Sequence, residues 1–154
     1  MALSDTVRSF NYGTTAPLTG TRQLANENYG VCVEMQPGYC SITWSQSSGD
    51  MYAFSVTNNT FTDVNMGTAG TSAAAIIGEN CTTDFVVIPN PSYVDMAGPN
   101  TDRFCGNGFN TVTTSSKPFV MTVVTDATDP PNDVGNRGFS LMYTQQQCAG
   151  ALLG

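Results

Sequence analysis

The side chains able to do chemistry here are carboxylates, hydroxyls and thiols, because the 154 residues include no histidine. That removes Ser-His-Asp and Cys-His arrangements, whose base is an imidazole, together with the HExxH metal site. A carboxylate pair is the remaining route to acid–base work, of the glycosidase or aspartic-protease kind. Gly106-Asn107-Gly108 lacks the lysine and the following helix pattern that a phosphate-cradling loop needs. Asp126, Asp129 and Asp133 crowd around Pro130-Pro131 in a segment that reads as a solvated turn. These residues lead to the expectation that the chain is not an enzyme.

The five cysteines, Cys32, Cys40, Cys81, Cys105 and Cys148, suit an oxidising compartment. None forms a CxxC pair, so a zinc ribbon or a thioredoxin-like redox site lacks support. Sequons at Asn58 and Asn80 are candidate glycosylation sites and agree with secretion. The formal charge is −7, and Lys117 is the single lysine. A nucleic-acid ligand needs a basic stripe, and an anionic membrane surface needs a basic patch; neither is present. Acidity suits a cation or a basic protein partner instead. No apolar run approaches the length of a bilayer span, so membrane insertion is not expected. After Met1-Ala2 the residues LSDTVRSF have no apolar h-region, and the sequence reads as a mature fragment with an added start methionine.

What must position these groups is a set of short strands. Phe119–Thr125 is β-branched and nearly continuous, as a core strand would be. Phe139–Tyr143 puts Phe139, Leu141 and Tyr143 on one face, with Ser140 and Met142 opposite. Phe85–Ile88 is a third strand, stopped by Pro89 and Pro91. Val31, Val33 and Met35 alternate with polar neighbours, and after the Pro37-Gly38 turn Cys40, Ile42 and Trp44 share a face. Met51–Val56 follows a turn around Ser48-Gly49, and Thr71–Ile77 reads equally as a short helical turn, a strand or a loop. Trp44, Phe54, Phe85, Phe104 and Phe139 are spaced as core residues, not as a carbohydrate platform. The expected fold is one all-β domain over residues 1–154, a two-layer antiparallel β-sandwich.

Six short elements, in order, resemble the CUB domain family. Asn28-Tyr29 precedes Cys32, and Pro37-Gly38-Tyr39 follows it. Cys81-Thr-Thr-Asp84 leads into Phe85–Ile88, and Arg103-Phe104-Cys105-Gly106 resembles the family's Phe-Cys-Gly segment. Thr125-Asp126 closes a long apolar strand, and Gly138-Phe139 through Tyr143 resembles the closing Gly-Phe-x-x-x-Tyr. The resemblance is strongest over residues 28–143, and Gln23–Tyr29 also looks similar to secreted arthropod proteins carrying such a domain. It implies a jelly-roll sandwich that acts as a secreted, non-catalytic module recognising an extracellular protein, in some members with calcium. A structural or adhesive matrix component that self-associates is the alternative.

The resemblance also implies site residues. Cys81 and Cys105 match the family's second disulfide. Of the other thiols, Cys32 and Cys40 enclose the short turn and are expected to pair, leaving Cys148 unpaired. Nothing upstream of Cys32 supplies the family's first cysteine, the natural partner for Cys148 on this reading. Asp84 and Asp126 match two calcium-holding aspartates. The family's preceding glutamate falls near Ile76, so Glu79 is the nearest substitute for a third acid. The competing expectation is that Asp84 accepts backbone hydrogen bonds and holds no metal.

Overall fold

In the computed structural model, residues 2–13, 23–93, 98, 101–128 and 131–150 are described. Their strands are β1 (Ser4–Arg8), β2 (Asn28–Val33), β3 (Tyr39–Gln46), β4 (Phe54–Ser55), β5 (Ala75–Ile77), β6 (Phe85–Val87), β7 (Arg103–Gly106), β8 (Val112–Thr114), β9 (Phe119–Val124) and β10 (Gly138–Gln147). One helix, α1 (Thr60–Met66), follows β4. Sheet A runs β1-β10-β3-β8, with β4 also on β10; sheet B runs β2-β9-β6-β7-β5. Every pairing is antiparallel, as expected for a CUB-like sandwich.

The alternation in β9 and β10 decides which residues fill the space between the sheets. Phe119, Met121 and Val123 point inward from β9, and Phe139, Leu141 and Tyr143 from β10. Trp44 and Ile42 arrive from β3, with the Trp44 ring edge-on to Tyr143 at 5.8 Å. Both sequence-expected core strands are interior strands of their sheets, and Val123 and Leu141 are buried. The outer face of sheet A is different in kind. Ser4, Thr144, Thr43 and Thr113 stand in one cross-strand row, with the Thr43 and Thr113 hydroxyls 2.8 Å apart.

Two segments differ from the sequence expectation. Met51–Val56 is strand only at Phe54–Ser55, because Asp50 first folds the chain back. Its carbonyl accepts from Ala53 N and its Oδ1 from Tyr52 N, which makes a turn of residues 50–53. Thr71–Ile77 is both a helical turn and a strand: a single 3₁₀ turn at Ser72–Ala74, capped by the Thr71 hydroxyl, runs straight into β5.

Helix α1 is absent from the sequence reading, since Thr-Phe-Thr-Asp-Val-Asn-Met has weak intrinsic preference for helix. Its ends and its tether hold it. The Asn59 side chain accepts from Phe61 N and Thr62 N, and Gly67 closes the C-terminus at φ 71°. Beneath it, the Asn107 amide accepts from Ser55 Oγ (2.9 Å) and Thr60 Oγ1 (3.0 Å) and donates to the buried Asp63 carboxylate. Asn58 Nδ2 and Thr68 Oγ1 also donate to Asp63. These protein donors satisfy the buried carboxylate from within the fold.

Candidate functional site

Asp84 and Asp126 meet because of one register. β6 pairs β9 with Phe85 opposite Val124, so the residues just before β6 and just after β9 lie at the same end of sheet B. There the Asp126 backbone N–H donates to Asp84 Oδ1 at 2.9 Å. Asp84 is buried, and its backbone is clasped from the neighbouring loop. Thr57 Oγ1 donates to Asp84 O at 3.0 Å and accepts from Asp84 N at 3.2 Å. Thr57 holds φ 59° and Asn58 φ 110°, left-handed backbone that costs a β-branched residue steric strain. Asp133 fixes the same loop by accepting from Asn58 N at 2.7 Å. Asp126 turns its own carboxylate back onto Thr128, accepting from the backbone N–H at 2.8 Å. Asp129 lies outside the described residues.

Glu79 does not join this pair. β5 starts opposite Gly106 and ends at Ile77 opposite Phe104, which is itself level with Val86. The chain therefore runs away from the Asp84 end, and Gly78 packs near Thr101. Glu79 is exposed in the following 3₁₀ turn. Calcium takes six to eight oxygens. Here Asp84 Oδ1 already accepts the Asp126 backbone N–H, and the Asp126 carboxylate is turned onto Thr128. Among the described residues no three acids or thiols gather as metal ligands. The expected set of Asp84, Asp126 and Glu79 does not fit that ion.

The thiols pair in one way that was expected and one that was not. Cys81 and Cys105 are bonded, joining the segment before β6 to β7. The expected Cys32–Cys40 bridge is overturned: Cys40 is bonded to Cys148, and Cys32 is an exposed free thiol. The reason is the sheet switch between β2 and β3. Cys32 sits on edge strand β2 of sheet B, whereas Cys40 opens β3 in sheet A. β3 lies beside β10, and Cys148 N donates to Gly38 O at 2.9 Å, which carries the C-terminal thiol over to Cys40. Cys148 is therefore not the unpaired thiol.

The two sequons are placed unequally. Asn58 is half-buried with its amide on Asp63, and the sequon's Thr60 is buried beneath α1. Asn80 and Thr82 are exposed.

A second cluster, unmarked in the sequence, lies on sheet A. A groove of about 590 Å³ is bordered by Arg8, Tyr12, the Ser47–Asp50 turn, Ser140 and Met142. The Tyr12 hydroxyl donates to Asp50 Oδ2. Burial and then this bond raise the Tyr12 pKa above the usual tyrosine value. Arg8 donates from Nε to Ser140 Oγ at 3.4 Å, and its guanidinium stands 5.9 Å from the centre of the Tyr12 ring. Behind it the buried Arg137 stacks 3.8 Å over Tyr52. These residues are far apart in the chain and match no local motif; the pairing of β10 with β1 on one side and β3 on the other brings them together.

No curated protein matches the chain. A family model described as animal CUB domain matches residues 1–146, a longer stretch than the motifs alone cover. With two antiparallel sheets, the Cys81–Cys105 bridge and the meeting of Asp84 with Asp126 already in place, the chain belongs to the animal CUB domain family.

Proposed function

We propose that this domain is a secreted recognition module that binds an extracellular protein and performs no reaction of its own. Members of its family are generally extracellular binding modules. The observation that carries the reading is the employment of the carboxylates. Asp50, Asp63, Asp84 and Asp133 each accept hydrogen bonds that hold a loop or a helix in place. Groups so engaged build a rigid surface, whereas a catalytic acid–base pair must be left able to exchange a proton with a substrate. What the domain offers a partner is therefore shape and presented side chains. The two disulfides keep that surface in an oxidising environment.

The test is retention from extracellular fluid on the immobilised, disulfide-intact domain, followed by calorimetric titration of the retained protein after purification. Saturable binding of the purified protein is expected, and reduced, unfolded domain should not retain it. Equal retention by folded and unfolded domain would refute the reading.

Self-association is the second reading, and one observation favours it. Cys32 is an exposed thiol on edge strand β2. Sedimentation with and without reductant separates the two, since a covalent pair would halve in mass on reduction.

A further inference from the structure

The groove on sheet A has an unusual charge arrangement for so acidic a chain. Its one acid, Asp50, is engaged twice, by the Tyr12 hydroxyl and by Tyr52 N. Arg8 is exposed, and among the described residues no carboxylate pairs with it; its contacts are Ser140 Oγ and the Tyr12 ring. Two other arginines are employed differently: Arg103 lies over Phe85 and donates to Cys81 O, while Arg137 is buried on Tyr52. Ser47 and Ser48 line the same groove as neutral hydroxyls, and Met142 is exposed beside them.

We infer that this groove docks the acidic side chain of a polypeptide partner, with Arg8 as its anchor. The inference rests on the protein-recognition reading and gives it a place and a partner chemistry. Arg8 lines the groove, and a guanidinium matches a carboxylate through paired, charge-assisted hydrogen bonds. The formal charge of −7 repels anions at long range, so one exposed guanidinium and neutral hydroxyls suit a singly charged carboxylate better than a phosphate. The exposed Met142 gives the methylene stem of a glutamate an apolar contact, which a small free anion would not use. Among the described residues the groove is bordered by Gly13 and Gly49, which carry no side chain of their own toward an approaching backbone.

The experiment is an amide-resolved NMR titration of the full chain with a hexapeptide of alternating glutamate and glycine. Its glutamine counterpart serves as the uncharged control. Saturable shifts are expected at Thr6–Arg8, Ser47–Asp50 and Ser140–Met142 with the glutamate peptide alone. Arg8→Gln should weaken binding at least about tenfold, and Arg8→Lys by less, because an ammonium keeps the charge but loses the fork. The amide spectrum of each variant reports its folding directly. The inference is overturned by shifts centred elsewhere, by equal binding of the glutamine peptide, by unchanged affinity in Arg8→Gln, or by inorganic phosphate reproducing the shifts at the same concentration. A purified partner that still binds Arg8→Gln with wild-type affinity sinks the groove and leaves protein recognition standing.

Discussion

Thr57 combines two opposed contributions in one side chain. Its backbone sits at φ 59°, which disfavours a β-branched residue, while its hydroxyl bonds both the N–H and the C=O of Asp84. Thr57→Val keeps the shape and the strain but removes both bonds, so a loss of about 1–3 kcal/mol is expected in urea unfolding. Thr57→Gly removes the bonds and the strain together, and should fall between wild type and valine. The reverse order would show that the strain is not expressed. Three tyrosines give the protein an alkaline limit. Burial raises the pKa of Tyr12, Tyr29 and Tyr143 above 10.0, and the Asp50 bond adds to the rise at Tyr12. Folding therefore favours the neutral phenols. That contribution is intact below pH 10 and declines as the pH rises through the raised values, because the unfolded chain ionises first. Urea midpoints should be level with respect to these groups up to about pH 10 and fall beyond it, with the fall reduced in Tyr12→Phe.

At the scale of elements, strands whose own residues alternate were readable, and elements held by distant partners were not. β9 announces itself as a nearly continuous apolar run and β10 by the alternation of Phe139, Leu141 and Tyr143, and the inward residues of both are buried. α1 left a fainter signal, Asn59 before it and Gly67 after it, and its retaining contact is Asn107, far along the chain. The meeting of Asp84 and Asp126 was legible through the family motif, whereas the Arg8 groove was not, since it depends on β1 lying against β10. The thiols teach the same lesson. Proximity in sequence favours Cys32–Cys40, but those residues belong to different sheets, and pairing follows strand adjacency. Alkylation of the folded, unreduced protein should therefore label Cys32 and spare Cys148. Peptide mapping that places the label on Cys148 would contradict the β3–β10 bridge.

For the whole molecule, the organisation of the loop end by hydrogen bonds has a measurable outcome. Asp84, Thr57 and Asp133 tie the loops through protein donors and acceptors, so stability should not depend on a divalent cation. Thermal unfolding in chelator and in millimolar calcium is expected to coincide within about a degree, the shift that weak or absent linkage gives. A calcium-dependent rise that vanishes in Asp126→Ala would establish a cation site there. The chain-entropy model assigns the longer bridge, Cys40–Cys148 with a separation of 108, about 5 kcal/mol, and Cys81–Cys105 with a separation of 24 about 3 kcal/mol. Reduction should accordingly lower stability far more than any single surface substitution.

The Cys40–Cys148 bond also decides how the domain bears a mechanical load. A pull applied beyond Gln147 reaches Cys148 and crosses directly to Cys40 at the start of β3, so the force bypasses the hydrogen-bonded length of β10. Everything between the two sulfurs is shielded, including both β9 and β10, and such a pull can peel only β1, β2 and the segments around them from the sandwich. Stretched between its ends, the oxidised protein should stop extending with the 108-residue separation still locked. After reduction it should lengthen by a further ~370 Å, about 3.4 Å for each released residue. The bond therefore caps how far the domain extends under tension, leaving only the stretch before Cys40 to unravel.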